Sequence, residues 1–292
     1  MPPKSHSSCR LSFIMSLSKI WVSASCIFLI IAMAIGTLLR YSFISVPFEF
    51  EYKYLLHTHS HIVLLGWVFN AICALIYHHY KNDLNRIYCL ILFVLFQVTI
   101  VGMLLSFPLQ GYALYSIIFS TSHIFVSYFF IGHVLARLKT KNSIAERFLK
   151  LSFFYFIIST FGPFALGYIQ SRGMTDSPLY NLSIYYYLHF LYNGFFILAI
   201  IGLFLKSVKN ELLIKYRKEA LRAYYFIGYS VFPAYALSAF CNYQLDWVYV
   251  LGILSGIAQI VGFFFLVKLF LRIHQSRQGK SNFETKYFLL PA

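Results

Sequence analysis

The sequence predicts an all-α, polytopic membrane protein, a bundle of about eight transmembrane helices, on two observations. Hydrophobic residues make up 60% of the 292 residues and charged residues only 11%, with a mean hydropathy of +0.70. Soluble domains usually contain about 25% charged residues, so most of this chain must contact lipid or other apolar helices. Runs of about 20 apolar residues also recur along the chain, and each is long enough to cross a hydrocarbon core about 30 Å thick.

Eight apolar runs define the predicted spans and the domain organisation. The first run is longer than the 7–15 residues of a signal peptide core, so it is interpreted as the first helix. The count is seven if the seventh run lies flat on the membrane. We expect a cytoplasmic N-terminal tail (1–19), a single bundle domain (20–274) and a cytoplasmic C-terminal tail (275–292). The predicted spans cover residues 20–44, 54–78, 86–107, 112–136, 148–169, 181–205, 220–241 and 245–273.

The net charge of +15 is distributed very unevenly along the chain. With eight spans, 21 of the 24 Lys and Arg residues fall in the tails and loops of one side, and only Arg40, Lys53 and Arg172 fall on the other. This is the positive-inside pattern, which predicts that both termini are cytoplasmic. The charge therefore reflects topology and contact with the lipid bilayer, and it does not indicate nucleic-acid binding. We expect the protein in the inner (plasma) membrane of a bacterium.

Ionisable residues are almost excluded from the predicted spans. All nine Asp and Glu residues fall in loops or at helix ends, and no Lys or Arg lies in mid-span. Ion-coupled transporters usually need a buried ionisable group, so this pattern argues against ion-coupled transport and leaves a facilitator open. The five cysteines are scattered singly without a C-x-x-C motif, which gives no support to a zinc ribbon or a covalently attached c-type haem.

Among Asp, Glu, Lys, Arg and His, only histidine enters the interior of the spans. His57, His59 and His61 open span two, His123 lies in span four and His189 in span six. These three spans run from outside to inside, and at 1.5 Å per residue the histidines lie roughly 5–15 Å below the outer surface. The sequence therefore predicts a histidine cluster in the outer half of the membrane.

A cluster of neutral imidazoles in an apolar bundle suits haem iron or copper, because imidazole ligates without adding a buried charge. Its second nitrogen can be held by a neighbouring amide or hydroxyl, here Asn193, one turn after His189, and Ser122, next to His123. The candidate cofactor-binding residues are His59, His61, His123 and His189, and the candidate metal-binding pair is His57 with His61.

Helical spacing divides the three histidines of span two between two faces. His57 and His61 are four residues apart and share a face, whereas His59 points about 160° away. The face of His59 continues through small and polar residues, which predicts a packed interior. One helix therefore cannot use all three imidazoles for one metal. The residues that continue the face of His59 are Gly66, Asn70 and Cys73.

The motif His59-x-His61-x-x-x-x-Gly66-Trp67 resembles the second-helix motif of the haem-copper oxidase subunit I superfamily, which includes nitric oxide reductases, and the H-x-H motif of NnrS-type proteins. The resemblance covers about spans two to six. It implies a b-type haem with His61 or His59 as an axial ligand, electron transfer, and a redox partner or quinol.

The chain departs from that superfamily in two ways. Subunit I has about twelve helices, and its copper centre needs an adjacent His-His pair on a later helix. Here the only adjacent pair is His78-His79, at the predicted cytoplasmic end of span two. We therefore expect a reduced relative with one haem or one metal, an oxidoreductase-like subunit without a complete copper centre, in a redox or a sensing or assembly role.

Two other classes of membrane protein fit parts of the pattern. A permease or structural membrane protein would use the same histidines only for hydrogen bonds between helices. A membrane desaturase would use His57-x-x-x-His61 as a histidine box, but this box faces outward and no H-x-x-H-H motif follows it.

Overall fold

The computed structural model describes residues 16–45, 50–138, 143–240 and 245–287, and the regular structure in these ranges is entirely helical. The all-α prediction is confirmed. The described helices are α1 (Leu17–Tyr41), α2 (Tyr52–Tyr80), α3 (Arg86–Gln110), α4 (Leu114–Leu138), α5 (Ile144–Ser171), α6 (Pro178–Lys206), α7 (Asn210–Lys215), α8 (Arg217–Phe240) and α9 (Asp246–Tyr287).

Seven of the described helices, α1 to α6 and α9, are long and apolar enough to cross a membrane. Helix α8 has 24 residues, but its first turns contain charged side chains, among them Arg217 and Glu219. It corresponds to the seventh predicted span, the one allowed to lie flat. The protein is thus an integral membrane protein with a number of spans close to the predicted eight.

The helix ends agree with the predicted spans to within a few residues except at the C-terminus. The predicted bundle ends at residue 274, whereas α9 remains helical to Tyr287, with its membrane-compatible part ending at Ser276. Most of the predicted N-terminal tail, residues 1–15, and the last five residues lie outside the described residues.

Local sequence signals begin the helices and turn the chain between them. Ser143 and Glu146 form a capping box at the start of α5. The hydroxyl of Ser177 accepts a hydrogen bond from the backbone N–H of Leu179, and Pro178 occupies the first turn of α6, where its missing N–H costs nothing. Gly173, in the α5–α6 turn, has a φ of 65°, which disfavours any residue with a Cβ.

The chain divides into two compact units, of which unit 1 comprises Met1–His78 and Arg86–Ser120. Its core contains the fully buried Trp21 of α1, whose indole N–H donates to the side-chain oxygen of Asn70 in α2. The Asn70 amide in turn donates to Gln97 of α3 over 3.3 Å. These polar groups lie among apolar helices and have their hydrogen-bonding needs met by one another. Their hydrogen bonds therefore link α1, α2 and α3.

Unit 2 comprises His79–Asn85 and Thr121–Ala292. Its apolar core is formed by α5, α6, α8 and α9, and the Tyr155 hydroxyl of α5 donates to the main-chain oxygen of Gly228 in α8 over 2.7 Å. Fully buried side chains of this core include Phe148, Leu198, Leu205, Ala220 and Leu269.

The buried carboxylate of unit 2 lies at a helix end, in agreement with the sequence pattern. Glu146, in the first turn of α5, is 2% exposed, and its Oε1 lies 2.7 Å from the ammonium of Lys206 at the end of α6. The Tyr80 hydroxyl donates to the same oxygen over 3.1 Å, and Ser143 bonds to the other oxygen. The carboxylate is therefore both paired and hydrogen-bonded, as a buried charge requires.

Large apolar side chains cover the outside of the long helices. Ile87 of α3 is 70% exposed, and Ile260 of α9 is 71% exposed. Exposed apolar side chains of this size are unfavourable in water but compatible with lipid. Lipid is the environment that the apolar helices indicate.

We expect reporter fusions to place the α6–α8 connection in the cytoplasm. A fusion after Lys215 should report cytoplasm, and fusions after Leu109 and Gly173 should report the outside, because basic loops are retained on the inner side. Alkaline phosphatase and green fluorescent protein fusions measure this. An external Lys215 would contradict the predicted orientation.

Candidate cofactor site in two histidine-bearing helices

Helices α2 and α6 share an irregularity next to their histidines. Residues Ile62–Phe69 of α2 are π-helical and follow directly after His61, and residues Phe190–Phe196 of α6 are π-helical and follow directly after His189. A π-helical turn contains an extra residue, and such turns occur frequently at functional sites. In both helices it shifts the preceding histidine relative to the rest of the span.

A glycine five residues after each of these histidines allows the π-helical segment to approach the preceding span. A Cβ added at Gly66 would lie 3.2 Å from Phe28 of α1, and one at Gly194 would lie 2.5 Å from the Cβ of Tyr155 in α5. The shared spacing, His-x-x-x-x-Gly followed by an aromatic residue, is present in the sequence of both spans.

The three histidines of span two lie on two faces of α2, as predicted. The rings of His57 and His61 both meet Tyr112, with centroid distances of 4.6 and 5.7 Å, and the ring of His61 lies 4.3 Å from that of Phe107. His59 instead points to α1, the same side on which Gly66 and Asn70 contact that helix.

His59 is held in one tautomer by α1. Its Nδ1 lies 3.0 Å from the main-chain oxygen of Ala32. A carbonyl oxygen only accepts, so Nδ1 is the donor, and in the neutral form of the ring this leaves Nε2 with its lone pair. Gly36 makes room for the ring, because a Cβ there would lie 2.8 Å from Cε1 of His59.

His61 has the same tautomer, held within its own helix. Its Nδ1 donates to the main-chain oxygen of His57 over 2.9 Å. Its Nε2 therefore accepts, and the Tyr112 hydroxyl lies 3.4 Å away from it. Both imidazoles of this motif thus present Nε2 as a base.

His189 uses both ring nitrogens within unit 2. Its Nε2 donates to the main-chain oxygen of Val231 in α8 over 2.8 Å, and the Asn193 amide lies 3.2 Å from Nδ1. The predicted contact between Asn193 and His189 is present. Nε2 would have to leave Val231 before it bound a metal.

His123 is 1% exposed in α4, and its main-chain oxygen accepts from the Ser127 hydroxyl over 2.7 Å. Ser122, the other predicted supporting residue, is half-buried beside it. The Ser127 bond is made to the backbone of His123, so the support of its imidazole by Ser122 or Ser127 stays a prediction.

The structure brings together His57, His59 and His61 at one end of α2 in unit 1. His123 and His189 belong to unit 2, so their role as opposing ligands to His59 or His61 stays a prediction. Within the described ranges, no three His, Cys, Asp or Glu side chains form a group that could hold a metal ion. Copper binding would thus begin from the pair His57 and His61.

Gly36 and Tyr112 contact these histidines, although no sequence pattern predicted either of them. Tyr112 lies 51 residues after His61, and Gly36 lies 23 residues before His59. Neither belongs to a motif, since their positions follow from the packing of α1 and α3 around α2.

Comparisons with protein families, with curated proteins and with solved structures give no match. The assignment of function to the site therefore depends on the chemistry of its residues.

The close contact between Gly194 of α6 and Tyr155 of α5 should contribute to the stability of the protein. Gly194→Ala should lower the thermal unfolding midpoint in detergent by about 3 °C or more, because the new methyl group overlaps the backbone-proximal atoms of Tyr155. Gly167→Ala is the matched control, since a Cβ there meets nothing within 4 Å, and alanine favours helix. Equal midpoints for the two variants would contradict this packing argument.

Proposed function

We propose that the protein binds a b-type haem through an imidazole of α2, in a redox or a sensing or assembly role, as a reduced relative of haem-copper oxidase subunit I. The observation that supports this most is the hydrogen bond that His59 and His61 share, from Nδ1 to a main-chain oxygen. In each ring Nδ1 donates to a main-chain oxygen and Nε2 is left as a base. Metal-ligating histidines almost always donate their other ring N–H in this way.

The residues present fit the chemistry of that group. A bond from Nδ1–H to a carbonyl orients the ring and makes Nε2 a better ligand. A ligand imidazole coordinates in its neutral form, so the apolar surroundings of α2 would not have to stabilise an added protein charge. A bound haem would supply one-electron redox chemistry, with a quinol or another redox partner as the electron source.

One contact distinguishes the two histidines. The Tyr112 hydroxyl lies 3.4 Å from Nε2 of His61, and that nitrogen would give up this contact on binding iron. His59 has its ring positioned from a second helix, by Ala32 and Gly36. We therefore infer that His59 is the first choice of ligand and His61 the second.

A specific observation favours a second candidate function. His189 bonds to Val231 and Asn193 through both nitrogens, which is how a histidine behaves when it only links helices. A permease or structural membrane protein needs no more than this. Copper bound by His57 and His61 is the other metal alternative, supported by their shared contact with Tyr112.

We expect protein purified from haem-replete cells to show a Soret band and a sharp α-band on reduction. His59→Ala should abolish both bands, whereas His61→Ala should weaken them. Insertion should be unchanged in both, because it depends on the apolar spans. His78→Ala is the control, since this exposed residue lies 17 residues after His61, about 26 Å along the helix. Wild-type protein with neither a Soret band nor stoichiometric copper would contradict the proposal and favour the permease.

Gly36→Ala tests the positioning of His59 without removing an imidazole. The added methyl group must displace the ring, since Cε1 would lie 2.8 Å from it. We expect a shifted α-band and lower haem occupancy by absorption spectroscopy. Gly132→Ala, where a Cβ meets nothing within 4 Å, should leave the spectrum unchanged. An unaltered spectrum in Gly36→Ala together with a lost spectrum in His61→Ala would identify His61 as the ligand instead.

A further inference from the structure

Helix α9 contains one amide near the middle of its membrane-compatible part. Gln259 lies 13 residues after Asp246 and 17 residues before Ser276, the two ends of that part. No other amide and no charged side chain lies between Asp246 and Lys268. Water does not hydrate the hydrocarbon core, so an amide at this depth needs a hydrogen-bond partner inside the membrane.

The described part of the chain does not supply that partner. Among the described residues, no side chain and no main-chain group forms a hydrogen bond with the amide of Gln259. Ser255, one turn earlier, differs, because its hydroxyl donates to the main-chain oxygen of Gly252 in the same helix over 2.7 Å. The Gln259 amide is therefore available to a group outside these residues.

The helix surface beside Gln259 is also uncovered. Gly252 is covered by α8, since a Cβ there would lie 2.5 Å from Leu237, but a Cβ at Gly256 would meet nothing within 4 Å. Gly256 and Gln259 are three residues apart, which makes them neighbours on the helix surface. Small residues at such positions allow two helix backbones to approach closely in a membrane.

Large apolar side chains continue this surface along α9. Ile253, Ile260, Phe263 and Val267 are all exposed. Together with Gly256 they follow one another at intervals of alternately three and four residues, which is the spacing of a helix that packs along a parallel helix. We call these five residues, with Gln259 at their edge, the α9 face.

The depth of Gln259 identifies the occupant of this face. A phospholipid has its polar groups at the headgroup level, so it offers no partner in the middle of the hydrocarbon core. A second copy of the chain has residue 259 at the same depth, when a two-fold axis perpendicular to the membrane relates the two copies. A carboxamide both donates and accepts, so two Gln259 side chains satisfy each other.

We propose that the α9 face binds the α9 face of a second copy of this chain. The two Gln259 amides hydrogen-bond to each other across the two-fold axis, and Gly256 allows the backbones to approach until the amides meet. The apolar side chains of the face then pack along the contact. The contact uses α9 alone, so it does not depend on a cofactor bound by α2.

Förster transfer between donor-labelled and acceptor-labelled full chains in liposomes tests the proposal over a range of protein-to-lipid ratios. Wild-type protein should dimerise. Gln259→Leu keeps the size of the side chain but removes the amide, and it should weaken the dimer at least about threefold. Gln259→Asn keeps an amide and should dimerise more strongly than Gln259→Leu, which separates hydrogen bonding from packing.

Gly256→Leu tests the close approach of the backbones. The new side chain fills an uncovered surface, so the fold should be kept while the two helices are held apart. Gly167→Leu of α5 is the matched control, since a Cβ there also meets nothing within 4 Å. Only Gly256→Leu should lower the energy transfer, and both variants should keep the thermal unfolding midpoint of the wild type.

Photo-crosslinking locates the contact on α9. Phe263 and Phe264 are 63% and 60% exposed, but they lie about 100° apart around the helix. Replacing Phe263 by p-benzoylphenylalanine should give a covalent dimer on irradiation, and the same replacement at Phe264 should give little.

A wild type that stays monomeric at every ratio, a Gln259→Leu dimer as strong as the wild type, or equal loss in the two leucine variants at glycine would each overturn the proposal. Equal cross-linking from the two phenylalanine positions would do so as well. Cross-linking from position 263 only to lipid or to a different protein would assign the face to that partner and exclude the second copy.

Discussion

In each unit, a π-helical segment lies close to the span before it in the chain. The packing of helices within that unit depends on this close approach. Within lipid there is no water to drive helices together, so packing and hydrogen bonds between helices must hold them. Gly66 and Gly194 allow the contact, with Phe28 in unit 1 and with Tyr155 in unit 2. The extra residue of each π-helical segment then sets the direction of the histidine just before it. The geometry of the backbone therefore determines how the imidazoles of His61 and His189 are placed within the apolar helices.

The imidazole N–H to carbonyl bond is the second element common to the two units, and its chemistry differs between them. In His59 the bond to Ala32 uses Nδ1 and leaves Nε2 as a base, which suits a metal ligand. In His189 the bond to Val231 uses Nε2, and Asn193 contacts the other nitrogen. The first arrangement supports the haem proposal and the second supports the helix-linking alternative. The two histidines therefore support different candidate functions, because His59 bonds to a main-chain oxygen through Nδ1 and His189 does so through Nε2.

Charge has two separate roles at the helix ends of unit 2. Glu146 with Lys206 and Glu219 with Arg272 form ion pairs that connect α5 to α6 and α8 to α9. Basic residues that these pairs do not use, among them Arg217, give the surface its excess positive charge. The same excess predicts the orientation in the membrane.

The sequence by itself determined the class of protein, the helical spans and the division of the span-two histidines between two faces. These follow from composition and from the fixed rise and rotation of a helix, which need no long-range information. Tertiary structure alone decided which nitrogen of His59 or His189 faces a main-chain oxygen and which glycines lie in close contact with a neighbouring helix. Gly36 and Gly167 are alike in the sequence, but only Gly36 meets a histidine ring. A partner 20 or more residues away, such as Ala32 for His59, is selected by the packing of helices, which no local periodicity encodes.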